Sequence, residues 1–153
     1  MTSPEALVRE HTVYACVMGS RAFGLATEGS DTDRRGVFLA PAPLFWRFEK
    51  PPAHVEGPAA EQFSWELERF CHLALRTNPN VLECLHSPLV ERIDDTGREL
   101  LALRHAFLSR RAHRTFARYA EGRRKKLGSP LPPEPVHARV EDFLIRARRA
   151  SAL

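Results

Sequence analysis

Long apolar runs, pairable cysteines and spaced histidines are all scarce in this chain of 153 residues. No stretch approaches the roughly 20 consecutive apolar residues that a membrane-spanning helix needs. Residues 1–10 are polar and lack the apolar centre of a signal peptide. The expectation is a soluble, cytoplasmic protein with no membrane partner. The three cysteines, Cys16, Cys71 and Cys84, are odd in number, far apart and each in an apolar setting. That pattern points to core thiols in a reducing compartment rather than to disulfides or a zinc site. The seven histidines show no metal-ligand spacing, and no serine or cysteine has the nearby histidine and acid of a nucleophile triad. A strong charge bias is missing too: 23 Lys and Arg oppose 19 Asp and Glu, a net charge of +4 that permits a polyanionic partner without requiring one. Nor is there an internal repeat. With 43% hydrophobic residues, the chain can build one globular domain with a sizeable core.

What is present is concentrated near the N-terminus. Met18-Gly19-Ser20-Arg21-Ala22-Phe23-Gly24 follows an apolar run, and six residues later comes Asp31-Thr32-Asp33-Arg34-Arg35-Gly36. Residues 12–18 are β-branched, aromatic and apolar without alternation, the pattern of a strand buried on both faces. Residues 33–39 read as a second strand, and residues 20–27 leave room for about two helical turns between them. In an extended strand side chains repeat with period two, so Asp31 and Asp33 would share a face and could share a divalent cation. Gly19 and Ser20 suit phosphates, because glycine admits close backbone approach and amides at a helix start donate to anions. Glu61, opening a stretch that reads as a third strand over 61–65, is the candidate for a third carboxylate in a two-metal phosphoryl-transfer site. Arg21, Arg34 and Arg35 stand beside these positions as triphosphate contacts, with one of them serving to neutralise the aspartates.

The remainder organises around this motif. A short amphipathic helix is expected over 4–10, and residues 41–60, with five prolines and Phe45, Trp46 and Phe48, read as a loop whose aromatics pack on the body or line a cleft. Helices follow over 66–76, 80–86 with Asn78 as cap, 95–108 capped by Asp95, and after Ser109 with Ala112, Phe116, Tyr119 and Ala120 as its apolar stripe. The expected order is strands first, helices after. The fold class is α/β (α+β), a small mixed sheet carrying the metal site, followed by helices. The expected domain is 1–127, with a sheet part over 8–66 and a helical part over 67–127, then a proline-rich linker over 128–135 and a C-terminal helix over 136–153. Residues 98–126 hold ten Lys or Arg against Glu99 and Glu121, densest at Arg123-Arg124-Lys125-Lys126, a face that could carry an RNA or DNA backbone or be only a solvated surface.

Gly19-Ser20 followed by Asp31-x-Asp33 resembles the signature of the DNA polymerase beta nucleotidyltransferase superfamily. The longer strings, Gly-Ser-Arg-Ala-Phe-Gly and Gly-Ser-Asp-Thr-Asp-Arg-Arg-Gly-Val-Phe, are similar to a bacterial branch of predicted nucleotidyltransferases that includes RNA-repair members. Glu66-Leu67-Glu68-Arg69-Phe70 leading to Asn78-Pro79-Asn80-Val81-Leu82-Glu83, and Phe107-Leu108-Ser109 leading to Tyr119-Ala120, extend the likeness over residues 8–126. The resemblance implies a nucleotidyltransferase-like fold and transfer of a nucleoside monophosphate from a nucleoside triphosphate such as ATP to an acceptor hydroxyl. It implies triphosphate binding at Gly19 and Ser20 with Arg21 and Arg34 nearby, and Mg²⁺ or Mn²⁺ held by Asp31 and Asp33. Glu61 falls where the family usually has its third carboxylate, an aspartate. Asn78 and Glu83 match a family motif that reads as helix capping and packing. The favoured acceptor is an RNA 3′ end. The alternatives are a protein hydroxyl, as in nucleotidyltransferases of toxin-antitoxin pairs, and a nucleotide- or RNA-binding relic without transfer. Members of that branch usually continue with further basic and histidine-bearing helices, so either a short form or a reduced helical part is expected. Base preference and oligomeric state stay open.

Overall fold

The computed structural model describes residues 2–120 and 134–152. Its centre is β1 (Thr12–Met18), in which every residue except Ala15 is buried. A strand with apolar or β-branched side chains on both faces can be covered on both, and β1 is. It pairs antiparallel with β2 (Asp33–Phe38) on one edge and with β5 (Leu89–Ile93) on the other. β2 pairs parallel with β4 (Gln62–Glu66), and β3 (His54–Glu56) runs antiparallel along the far edge, giving the order β3-β4-β2-β1-β5. A mixed sheet with helices is the α/β class that the sequence implied.

Two clusters hold the helices to this sheet. α1 (Pro4–His11), started by Ser3 accepting from the Ala6 amide at 3.2 Å, packs Leu7 and Val8 with Phe38, Ala40 and Val55. The larger core joins Val13, Tyr14, Cys16, Met18 and Val37 to α2 (Leu67–Leu75), α3 (Pro79–Leu85), α4 (Asp95–Ala102), α5 (Arg110–Ala120) and α6 (Glu134–Ala150). Asn78 caps α3 as expected, its side-chain oxygen accepting from the Val81 amide at 3.3 Å, with Pro79 in the first turn where its missing N–H is harmless. All three cysteines are buried and free, as core thiols should be.

Several elements differ from the sequence expectation. Residues 20–27 form no helix: Gly24 takes a left-handed φ of +71°, and the chain passes through tight turns instead. Strands do not all precede helices, because β5 returns to the sheet after α3. The loop over 41–60 contains a 3-10 turn, Ala42–Trp46, and the short β3. The helix expected over 95–108 is capped by Asp94, whose carboxylate accepts from the Gly97 amide at 2.9 Å, and it ends at Ala102. A 3-10 segment, Arg104–Phe107, follows and puts Phe107 in the core. α6 begins at Glu134, so Pro135, expected in the linker, lies in its first turn, where proline is tolerated. The rest of that linker, Arg123 to Lys126 and Glu121 lie outside the described residues.

Two contacts fix the helices closely. Gly97 of α4 sits on the β1 backbone, where a Cβ would come within 2.1 Å of the Val13 carbonyl oxygen. At the other side Arg148 of α6 reaches Glu66 at 2.6 Å, donates to the Ala40 carbonyl at 2.8 Å and stacks its guanidinium 4.1 Å from the Phe45 ring centroid. Glu66 is itself the cap of α2, accepting from the Glu68 amide at 2.8 Å. Burial pushes the Glu66 carboxyl up, and Arg148 pulls it back.

Gly97→Ala is expected to destabilise by at least about 2 kcal/mol, since backbone must move to admit the methyl group; urea unfolding midpoints measure it. Arg148→Ala strands a buried carboxylate at a cost of about 3 kcal/mol at neutral pH. Glu66 in that variant has a folded pKa raised above its unfolded value. The penalty is therefore full above the folded value, shrinks as pH falls through it and is gone below the unfolded value near about 4.3. Unfolding midpoints of variant and wild type compared between pH 4 and 7.5 test this.

Candidate active site

The site is made where β1 runs out and β2 begins. Met18 and Asp33 are paired across the antiparallel ladder, so the chain that leaves the sheet after Met18 re-enters it directly alongside. Gly19 turns the chain away with φ +71°, a conformation in which a side chain would be strained. A Cβ there would lie 3.7 Å from both Cβ and Oδ2 of Asp33, so the Gly19 backbone lies against that carboxylate. The turn closes on itself: the Phe23 amide donates to the Gly19 carbonyl at 3.2 Å and the Leu25 amide to the Ser20 carbonyl at 2.8 Å. Among the described residues, no such bond takes the intervening amides of Ser20, Arg21 and Ala22, nor the Ser20 hydroxyl. Successive unpaired amides in a turn are a concavity suited to an anion.

The segment leading to the aspartates is also ordered. The Ser30 amide donates to the Thr27 carbonyl at 3.0 Å and the Thr27 amide to Ser30 Oγ at 2.8 Å, while Arg21 Nη2 donates to the Ser30 carbonyl at 2.7 Å. Arg21 thus ties the Gly19 turn to the loop that carries Asp31. Asp31 is exposed and Asp33 half-buried. Arg35, two residues along the same strand face, forms an ion pair with Asp33 and also donates to the Arg34 carbonyl at 2.9 Å. It is the arginine that neutralises an aspartate. Arg34 instead holds Glu91 of β5, its Nε 3.2 Å from both carboxylate oxygens. The sequence could not announce Glu91 as partner, because β5 has no alternation to mark it as a strand.

Glu61 stands at the start of β4. The parallel register pairs Arg34 with Gln62, and the Arg34 amide donates to the Glu61 carbonyl at 2.9 Å, which sets Glu61 in the row beside Asp33. Its φ is +56°, outside strand geometry, and it is exposed. Among the described residues no three His, Cys, Asp or Glu side chains converge on a metal position. β2 begins at Asp33, so Asp31 precedes the strand rather than sharing its face as expected, and Glu61 is adjacent to Asp33 in the sheet. Two carboxylates completed by substrate phosphates are a usual way to hold Mg²⁺, and oxygen donors suit Mn²⁺ equally, so the residues fit such an ion.

Two histidines that sequence spacing left without a role come to the same end of the sheet. His86 caps α3, and the next residue, Ser87, donates its hydroxyl to the Val17 carbonyl at 2.6 Å. Its ring centroid lies 5.8 Å from that of His105. Burial first, then Arg104 and His105, lower the His86 pKa from the ordinary histidine value. Below the sheet end, Cys16 and Cys84 sit 3.5 Å apart, and the Tyr14 hydroxyl donates to the Cys84 carbonyl at 2.7 Å. No described helix is long and apolar enough to cross a membrane.

A family model described as "RlaP: RNA repair pathway DNA polymerase beta family" matches residues 4–148. The chain is also 32% identical over 81 residues to "Uncharacterized protein YcgL" of Bacillus subtilis (strain 168), a match that covers 51% of this chain and 31% of that protein. The aligned part thus spans about a third of the relative's length. No solved structure matches the chain.

Gly19→Ala is expected to lower stability by about 1–2 kcal/mol through its left-handed φ. Arg35→Gln, which removes a half-exposed ion pair, should change it by less than about 1 kcal/mol. Urea unfolding of both separates a turn that needs glycine from one that merely contains it.

Proposed function

The chain belongs to the RNA repair pathway DNA polymerase beta family, and from that membership we propose that its site moves a nucleoside monophosphate from a nucleoside triphosphate to the 3′ hydroxyl of an RNA. Family membership supports a nucleotidyltransferase-type function in RNA repair. The observation that carries the finer reading is the approach of the Gly19 turn to the Asp33 carboxylate, because it joins an anion-binding backbone to a cation-binding side chain at one strand end.

In this reading the free amides of Ser20, Arg21 and Ala22 and the Ser20 hydroxyl hold the triphosphate. Asp31 and Asp33 hold Mg²⁺ or Mn²⁺, which when bound neutralises phosphate charge and favours ionisation of the acceptor hydroxyl. The acceptor oxygen forms a bond to the α-phosphorus, the α–β phosphoanhydride breaks, and pyrophosphate leaves with its electron pair. The hydroxyl proton passes to solvent or to a neighbouring base. Arg35 pairs with Asp33, and its guanidinium would be a further contact for the phosphates beside that carboxylate. Arg21 keeps the loop of Asp31 in place until it too meets phosphate. The basic surface of α5, with Arg110, Arg114 and Arg118 among its residues, is suited to the RNA backbone.

One observation favours a second reading, a protein that binds nucleotide or RNA without transfer: Asp33 is already paired by Arg35, and Glu61 is not gathered to the aspartates. Incubation with labelled nucleoside triphosphates, Mg²⁺ or Mn²⁺ and total RNA decides. Label in RNA is expected. Label in protein instead marks a protein-modifying transferase of the toxin-antitoxin kind, and binding without transfer supports the second reading. Asp31→Asn combined with Asp33→Asn should lower transfer at least a thousandfold; retained transfer would refute the assignment of the cation to these carboxylates.

A further inference from the structure

At the end of the sheet away from Gly19 lies a surface that the transfer site does not use. β2 carries the chain about 17 Å from Asp33 to Phe38 at the strand rise of about 3.3 Å per residue, and the 3-10 turn Ala42–Trp46 with the segment to Pro52 follows. Phe45 is packed inward against the α1 cluster, but Trp46 is 79% and Phe48 fully exposed. Rings this bare are unusual among the aromatic residues of a soluble domain. Trp46 opens onto a hollow of about 400 Å³ that Phe45, Arg148 and Arg149 also line, a volume within the usual range of ligand sites. A second hollow, of about 440 Å³, is lined by Arg47 and Lys50 of the same segment together with Glu49.

The charges here are not balanced. Arg148 is taken by Glu66 and stacked on Phe45, and Lys50 donates to the Phe45 carbonyl. Among the described residues, no ion pair engages Arg47, Arg69 or Arg149; against these cations stand the exposed Glu49 and the half-exposed Glu68, which also lines the Trp46 hollow and lies 3.7 Å from Arg148. Exposed aromatic faces interleaved with unpaired guanidinium groups fit a ligand that alternates flat apolar faces with negative charge. Single-stranded nucleic acid does so: bases stack on aromatic rings without sequence preference while phosphates meet the cations. Arg148 on Phe45 is the arrangement already built, a cation laid on a ring at the floor of the hollow.

We propose that Trp46, Phe48, Arg47 and Arg149 form a stacking site for single-stranded RNA, distinct from the transfer site and on the opposite end of the sheet. It rests on the reading of RNA as the acceptor, and it adds a second hold on the strand several nucleotides from the reacting end. Base stacking is worth about 1–3 kcal/mol per base, so loss of both rings weakens binding about tenfold or more.

Trp46 supplies its own probe. The chain has two tryptophans, and Trp65 is 8% exposed, so quenching of the exposed indole reports on Trp46. Titration with an oligouridylate of about twelve nucleotides should quench it, with a midpoint that rises with salt. In fluorescence anisotropy with the same labelled oligonucleotide, Trp46→Ala with Phe48→Ala should lose at least tenfold in affinity and Arg47→Ala with Arg149→Ala should flatten the salt dependence. Trp46→Phe should retain most of the affinity. These side chains are exposed, and circular dichroism confirms that the variants fold. Unquenched Trp46, or unchanged affinity in the aromatic double variant, would overturn the proposal, as would quenching by a proline-rich peptide and not by RNA. Wild type measured both ways separates the two ideas: stacking without transfer refutes the transfer reading alone, whereas transfer with an unresponsive Trp46 refutes the stacking site alone.

Discussion

The pairing of Met18 with Asp33 is the interaction on which the candidate site depends. Antiparallel ladders align the end of one strand with the beginning of its neighbour, so whatever follows β1 must lie beside whatever opens β2. Here these are a glycine with positive φ and an aspartate. β1 is held from both edges and buried on both faces, so the alignment is set by the most constrained strand of the domain. A one-residue slip of β2 would send Asp33 to the other face and carry Val37 out of the larger core with it. Packing and site register are therefore one constraint. The parallel neighbour β4 inherits it, which is why Glu61 arrives in the row of Asp33 although 27 intervening residues wander through prolines.

What could be read from sequence was what sits under that constraint. β1 was legible because burial on two faces leaves a dense apolar run, β2 because an apolar end, Val37-Phe38, follows the acidic motif, and α3 because Asn78-Pro79 is a chemical start signal. β5 and β3 were not. Edge strands touch the core weakly, four of the five residues of β5 are exposed, and no alternation survives to be read. The expected helix after Ser20 failed for a local reason: Gly24 adopts left-handed φ and the Thr27–Ser30 turn captures the backbone groups that a helix would use. Pairings between arginines and acids were out of reach as well. Arg34 meets Glu91 across 57 residues, and only the fold says so. The Gly-Ser and Asp-x-Asp pattern drew its chemistry from spacing and from family resemblance together; spacing alone leaves a loop with two acids.

The helices are tied down by contacts that bring buried backbone and charge together. Gly97 lets α4 rest directly on β1, and Glu66 gathers Arg148, the Glu68 amide and the Ala40 amide around one carboxylate. A carboxylate this deeply buried costs more in desolvation than a single pairing returns, which is why its pKa rises despite the arginine. Its yield is positional: one ion pair fixes α6 against the start of α2 and the end of β2 at once.

That positional effect links the two ends of the sheet. β2 begins with the Asp33 carboxylate facing the Gly19 turn and ends near Ala40, whose carbonyl Arg148 holds. Through Arg148 the C-terminal helix forms the floor under Phe45 and a wall beside Trp46, so α6 supplies part of the aromatic surface. A strand of about 17 Å then separates the proposed transfer site from the proposed strand-holding surface. An RNA held at both ends would be measured against a fixed length. Such an arrangement favours a single-stranded end that extends past the reacting hydroxyl over a blunt duplex, because only unpaired bases offer their faces to Trp46 and Phe48.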